Sequence, residues 1–231
     1  MRISELSARS GVPVATVKYY LREGLLPAGE KSSETQAAYD ESHIARLRLI
    51  RAFLEVGGLS VASAKRVLEV MEDETLPFGV AAGVASTALP TAATAESGSD
   101  GRGHRDLAEL VERRGWTVDP ANTGWALAAR VLDDYEALGR DDLTVTLDAY
   151  AEAAEIVARA DMQTVVDAPN REAQTETVVV GTVLGDSLLA GLRRMAHENV
   201  SRMIFPVPPE VAVRYGHTVA PDESHREEPG S

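Results

Sequence analysis

The chain has 231 residues, of which 44% are apolar, a formal net charge of −13 and no cysteine. This length and composition allow a sizeable core in one or two domains, and two are expected. The lack of cysteine excludes disulfides and thiolate metal sites, and the five histidines are not spaced like metal ligands, so no metal site is predicted. Without an apolar run of about 18 residues or an N-terminal secretion signal, a cytoplasmic protein with no membrane partner is expected.

The charge is divided unevenly along the chain. Residues 1–66 contain ten Lys and Arg against seven Asp and Glu, whereas the remainder contains thirteen against twenty-nine. Phosphate attracts the first part and repels the second. The sequence therefore predicts a nucleic-acid-binding N-terminal part and an acidic C-terminal part that faces away from the duplex and serves for sensing and pairing.

The first 27 residues have the pattern of a helix, a tight turn and a second helix. Ser4 is expected to cap a first helix over residues 5–10, and Gly11 is expected to end it. Pro13 fixes the backbone where the second helix starts. In that second helix Val17 and Tyr20 belong to an apolar stripe that packs inward. The exposed face, by the same period, carries Ala15, Lys18, Tyr19 and Arg22.

A β-hairpin wing and two further helices are predicted next. The polar stretch 28–38 has no helical period and is of hairpin length, and the third helix is expected over residues 40–56. Gly57-Gly58 ends that helix, and Ser60 is expected to cap the fourth. The inward positions are Ile44, Leu47, Ile50 and Leu54 in the third helix and Ala64, Val67, Leu68 and Met71 in the fourth.

This order of parts resembles the N-terminal winged helix-turn-helix of the MerR family of transcriptional regulators. The resemblance covers about the first third of the chain, through ISELSARSGVPVATVKYYLREGLLP and, after the wing, YDESHIARLRLIRAFLEVGGLSVASAKRVL. It implies a homodimer that binds double-stranded operator or promoter DNA through Lys18, Tyr19 and Arg22, with RNA polymerase as a further partner at the promoter. The chain departs from the family pattern in the wing, where Gln36-Ala37 replaces an aromatic–Arg pair.

The predicted DNA contacts divide into two kinds. Lys18 and Arg22 lie one helical turn apart and are expected to neutralise phosphate, whereas Thr16 and Tyr19 are placed to reach a base edge or a sugar. Basic side chains outside the second helix can equally be solvated, so their assignment rests on charge alone. The complete predicted set is Thr16, Lys18, Tyr19, Arg22, Lys31, Arg46 and Lys65.

A flexible linker is predicted between two domains. In residues 79–103, nineteen of 25 residues are Gly, Ala, Ser, Thr or Pro, a composition typical of linkers. Residues 80–89 are also rich enough in alanine to form a marginal helix. The predicted organisation is a DNA-binding domain at 1–75, a linker at 76–104, a helical domain at 105–206 and a mobile tail at 207–231.

The helical domain is predicted from four blocks of helical periodicity. Helices are expected from Leu107 to near Gly115, from Pro120 to near Gly139, over 147–166, and over 170–205. Their layout is similar to the ligand-binding half of TetR-type regulators. The predicted fold class is therefore mainly α, a winged helix-turn-helix with a small β wing followed by a C-terminal α-helical bundle.

The function predicted is a dimeric, sequence-specific transcription regulator controlled by a small organic effector. Effector contacts are assigned to Trp116, Trp125, Tyr135 and Tyr150, because aromatic side chains in a helical bundle can line an apolar cavity. The alternative is that these side chains form core and the bundle is a ligand-free assembly or protein-interaction module. No phosphate loop, GxSxG elbow or HExxH motif occurs, so no catalytic residue, no cofactor and no enzyme activity is predicted.

Overall fold

The computed structural model describes residues 1–33, 36–73, 75–76, 78–89, 101–119, 122–206 and 211. The centre of the predicted linker and nearly all of the predicted tail lie outside these residues. The chain divides into two compact units, Met1–Ser187 and Leu188–Ser231. This boundary differs from the predicted domain boundaries, because the first unit includes both the DNA-binding region and most of the predicted helical domain.

The helix-turn-helix is formed by α1 (Ile3–Ser10) and α2 (Val14–Glu23). Gly11 ends α1 and Gly24 ends α2, with φ of +70° and +74°, so both turns use the left-handed conformation that glycine adopts most easily. The predicted cap at Ser4 is wrong: α1 begins at Ile3, two residues before the predicted start, and Leu6 donates its backbone N–H to the carbonyl of Arg2 at 2.9 Å.

The wing consists of β1 (Glu30–Ser33) and β2 (Gln36–Ala38), which pair antiparallel. It leads into α3 (Glu41–Arg51), which continues as a π-helical turn over Ala52–Val56. Next comes α4 (Val61–Glu72), where the Ser60 hydroxyl accepts the backbone N–H of Ser63 at 3.0 Å, as the predicted cap requires. The winged helix-turn-helix and the mainly α fold class are thus confirmed.

A further helix, α5 (Phe78–Ala88), occupies the first part of the predicted linker. Ala81, Ala85 and Ala88 are buried, and the last two belong to the core of the DNA-binding region. Alanine has the highest helix propensity, and its small side chain allows α5 to approach α4 closely. The alanine-rich composition therefore encodes a packed helix here and not a flexible connection.

The remaining helices are α6 (Arg102–Arg114), α7 (Thr123–Ala137), α8 (Leu147–Val166) and α9 (Arg171–Ile204), with a 3₁₀ turn over Asp141–Thr146 before α8. The predicted bounds of α8 and α9 agree with the structure to within one residue. A small core joins the first three of these helices, and it consists of Leu107, Leu110, Ala129, Leu132 and Ala151.

The first half of α9 packs into the core of the DNA-binding region, which the sequence did not predict. Val179 and Val183 are fully buried in the same cluster as Leu47 and Phe53. A Cβ on Gly57 would lie 2.4 Å from Val183 Cγ1, so glycine is needed for this close approach. The predicted bundle is therefore incomplete as a separate domain, because α9 contributes its most buried side chains elsewhere.

The length and composition of α9 also differ from the prediction that the chain has no membrane-length apolar run. The helix contains an 18-residue window with a mean hydropathy of 1.3, of which 17% is buried. Glycine, threonine and serine interrupt its apolar residues, so no continuous run is visible in the sequence. Core helices of globular proteins meet the same criteria of length and hydropathy but are mostly buried, whereas in α9 the buried residues are Val178, Val179 and Val183.

The contribution of the contact between α9 and the DNA-binding region can be measured as a change in the free energy of unfolding. Val183→Ala should lower the free energy of unfolding by about 2 kcal/mol, because it removes two buried methyl groups from a site that is 0% exposed. Val145→Ala, at a position that is 82% exposed, should change it by less than about 0.5 kcal/mol. Urea titration followed by circular dichroism gives both values, and equal effects of the two variants would contradict this packing.

Candidate nucleic-acid interface

The exposed face of α2 has the composition that a DNA-recognition helix requires. Val17 and Tyr20 are buried, at 0% and 7% exposed, and anchor the opposite face in the core. Lys18 is exposed, and Thr16 and Tyr19 are half-buried at the edges of that face. Burial raises the pKa of the Tyr20 phenol, and the Glu55 carboxylate adds to that rise, so the hydroxyl stays neutral at physiological pH. The helix thus presents one positive face and one apolar face.

Arg22 is positioned by its neighbours on α2. Its guanidinium carbon lies 5.2 Å from the centre of the Tyr19 ring, and its Nε is 3.3 Å from Glu23 Oε1. The side chain nevertheless remains 70% exposed. Because cation–π contact restrains the guanidinium without covering it, Arg22 keeps donors available for phosphate or a base edge.

Lys65 lies beside the end of α2, although it belongs to α4. A Cβ placed on Gly24 would be 3.2 Å from Lys65 Nζ, so the ammonium group is close to the carbonyl end of α2, which favours a positive charge. The structure therefore brings Lys65 near the predicted recognition helix. Lys31 lies on β1 in the wing, and its side chain is outside the described part of the chain.

Arg46 does not project from the surface as a predicted phosphate contact would. Its side chain is only 14% exposed, its Nε donates to the backbone carbonyl of Leu25 at 2.9 Å, and Nη1 lies 2.8 Å from Glu72 Oε1. Burial lowers the pKa of the Arg46 guanidinium, and the Glu72 carboxylate offsets part of that shift. Arg46 therefore holds the chain after α2 against α4, and this positioning role replaces the predicted DNA contact.

The wing is attached to α3 and to the N-terminus by polar contacts that sequence reasoning missed. Asp40 Oδ1 accepts the backbone N–H groups of Ser42 and His43, while the Asp40 N–H is donated to His43 Nδ1, which completes a capping box. Hydrogen bonds from Ser42 and His43 hold the pKa of the Asp40 carboxyl well below its usual range. The Met1 ammonium donates to the Tyr39 carbonyl at 2.6 Å. The Asp-x-x-His spacing at the start of α3 was the sequence signal from which the capping box could have been predicted.

The four aromatic side chains predicted to bind an effector do not form one cluster. Trp116, Trp125 and Tyr135 pack against the core of α6, α7 and α8, whereas Tyr150 is 49% exposed. Trp116 Nε1 donates to Glu155 Oε1 at 2.6 Å, and Trp125 Nε1 donates to His104 Nδ1 at 2.9 Å. Both indole N–H groups are therefore already satisfied within the chain.

A cleft of about 600 Å³ lies between α8 and the first half of α9. Apolar side chains form much of its lining, and Asp161 and Glu176 are its acidic members. None of the four predicted aromatic residues lines it. No sequence signal predicted this cleft, because most of its lining residues are Ala, Thr, Val or Gly at spacings found in any helix.

These features define a winged helix-turn-helix DNA-binding protein, with a basic recognition-helix face and a wing braced on α3. Residues 1–70 match the family described as MerR HTH family regulatory protein. The chain resembles, over 90% of its length and 99% of the other chain, the crystal structure of SCO5550 from Streptomyces coelicolor A3(2), assigned as a transcriptional regulator, with 31% identity and a TM-score of 0.62. The chain belongs to the MerR family, and it is a DNA-binding transcription regulator and not an enzyme.

Curated relatives match this chain over short segments. Nodulation protein NolA of Bradyrhizobium sp. (strain NC92) is 37% identical over 68 residues, 29% of this chain and 28% of that protein. The mercuric resistance operon regulatory protein of Bacillus cereus is 36% identical over 56 residues, 24% of this chain and 42% of that protein. The chain thus spans less than half the length of the curated relatives that it matches.

A phosphate contact by Lys18 has a specific signature in salt. Lys18→Ala should weaken binding to a selected site and to random duplex alike, and should reduce the slope of log K against log salt concentration by about one. Arg159→Ala is a matched control, because it removes an exposed positive charge from α8 and should leave the slope unchanged. Fluorescence anisotropy over a salt series measures both slopes, and an unchanged slope for Lys18→Ala would remove that residue from the interface.

Proposed function

We propose that the chain is a homodimeric, sequence-specific transcription regulator in the cytoplasm, controlled by a small organic effector bound in its C-terminal helical region. The observation that carries this proposal is the basic face of α2, held on the buried side chains Val17 and Tyr20 and adjoined by Lys65. RNA polymerase at a promoter is proposed as a further partner, on the strength of the family alone.

The contacts with DNA are assigned by side-chain chemistry. Lys18, Arg22 and Lys65 are proposed to neutralise phosphates, since each carries a positive charge at or beside the exposed face of α2. Thr16 and Tyr19, at the edges of that face, are proposed to reach bases or sugars. Lys31 in the wing is a further proposed phosphate contact. Arg46 is left out, because Leu25 and Glu72 already hold its guanidinium.

The second half of α9 supports the proposed dimer. Leu188, Leu192 and Met195 of α9 are 65%, 51% and 68% exposed. Met203 and Ile204 at the end of the helix, and Phe205 directly after it, are all more than 60% exposed. An exposed run of large apolar side chains of this kind marks an interaction surface. Pairing with the same helix of a second copy about a two-fold axis would cover it with a self-complementary partner.

The effector proposal is supported by the volume of the cleft between α8 and α9, because a bundle without a ligand is expected to have a filled core. Trp116, Trp125, Tyr135 and Tyr150 do not line this cleft, so the effector contacts predicted for them would need a separate place in the helical region. The packing of the first three fits the alternative of a ligand-free assembly module. A bound organic compound would favour the effector function.

Charge placed on the exposed apolar run of α9 should prevent dimerisation. Leu188→Glu with Leu192→Glu should convert the dimer into monomers in sedimentation velocity, because two carboxylates per copy would be buried at the two-fold interface. Leu138→Glu is the control, because Leu138 is 74% exposed after α7. It should leave the dimer intact. A dimer that survives the α9 changes would place the interface elsewhere.

The proposed class of effector can be tested on the intact protein. Thermal-shift screening should identify largely apolar organic compounds that raise Tm, whereas copper, mercury and zinc at stoichiometric concentration should not, because the chain offers no thiolate. Stabilisation by one of these metals, with none from organic compounds, would contradict the proposed class.

A further inference from the structure

We propose that the cleft between α8 and α9 is the effector site and that its ligand is an organic cation with an apolar body. This inference rests on the proposed control by an effector, and it adds the location and the chemical class. The cleft measures about 600 Å³, and small-molecule sites are typically about 300–1,000 Å³. A compound of several rings would fit that volume.

The walls of the cleft are suited to an apolar body. Met162 and Val165 line it from α8, and Val178 and Val180 line it from α9. Gly181 also lines the cleft, and a Cβ at that position would have no heavy atom within 4 Å. The glycine therefore keeps space open beside these side chains, and transfer of an apolar group into that space from water is favourable.

The charge of the cleft indicates the sign of the ligand. Asp161 lines it from α8 and Glu176 from α9. Among the described residues, no ion pair involves either carboxylate. A ligand with an ammonium or similar group would supply the missing positive charge, whereas a carboxylate or phosphate would be repelled.

A second copy of the chain is a less suitable occupant of this cleft. Each copy has a formal net charge of −13, and the second half of α9, whose exposed side chains are largely apolar, already offers a surface for pairing. Seating a helix of another copy in the cleft would desolvate Asp161 and Glu176 against an acidic partner, which is unfavourable. A small cation avoids this cost.

The site shares side chains with the core of the DNA-binding region. Val165 and Val178 line the cleft and are also members of the core cluster that contains Phe53. Because packed cores respond to changes of volume in discrete steps, a ligand against these two valines changes the packing at the end of α3. The cleft is thus placed to couple ligand binding to the recognition helix.

The experiment uses two probes that share a naphthylmethyl body and carry head groups of opposite charge, 1-naphthylmethylammonium and 1-naphthylacetate, titrated against the full chain by ligand-observed NMR. The ammonium should bind about tenfold more tightly, as two exposed carboxylates acting together allow. Asp161→Asn with Glu176→Gln should abolish that preference and leave a similar affinity for both probes. Equal binding of the two probes to the unmodified chain, or binding of neither, would overturn the proposal.

Filling the cleft provides the second test, with a matched control. Gly181→Leu should abolish binding of the ammonium probe, whereas Gly185→Leu should not, because Gly185 is also open on the same helix but does not line the cleft. Equal loss in both variants, or a change of oligomeric state in Gly181→Leu alone, would overturn the assignment. If organic compounds still stabilise Gly181→Leu in the thermal-shift screen, the effector function stands and this location is wrong.

Discussion

Val179 and Val183 of α9 are completely buried in the same cluster as Phe53 of the DNA-binding region, and Gly57 provides the space for them. Ser187 strengthens this contact by donating its hydroxyl to the Val56 carbonyl at 3.0 Å. Burying a valine side chain contributes on the order of 1.5 kcal/mol or more, so these side chains account for a sizeable part of a typical domain's stability. The winged helix-turn-helix therefore does not have a closed core of its own.

The same contact gives a physical route between the proposed effector cleft and the DNA. The end of α3 at which α9 packs is a π-helical turn, Ala52–Val56, and such turns store a local irregularity in the backbone. The other end of the DNA-binding core is fixed by Arg46, which bridges the chain after α2 and Glu72 of α4. A change of packing at Phe53 would therefore act on helices that Arg46 links to the chain after α2.

Local signals in the sequence predicted the DNA-binding region well. Gly11, Gly24 and Ser60 act through their own backbone or the next turn, so their roles are readable without the fold. Long-range packing was less predictable. Nothing local distinguishes the alanines of α5 from a linker, or the valines of α9 from those of a separate bundle, until the surface that buries them is known.

At the candidate site, Arg46 is a second case in which the sequence could not predict the long-range contacts of a side chain. Its charge and helix position fit a phosphate contact, and only the positions of Leu25 and Glu72 reveal that its donors are occupied. The cleft between α8 and α9 was equally unpredictable, because the sequence does not show which residues of the two helices face each other. The position of a residue in the sequence predicts which face of a helix its side chain occupies, but not which residues of other elements it contacts.

Native-state hydrogen exchange tests most directly whether α9 is part of the DNA-binding core. The backbone amides of residues 178–184 and those of residues 47–53 should exchange with the same free energy of opening, because the two segments share one cluster and must open together. Val183→Ala should lower both values by the same amount. Two results together would contradict this account. Residues 178–184 would exchange through a local opening of much lower free energy, and Val183→Ala would leave the exchange of residues 47–53 unchanged.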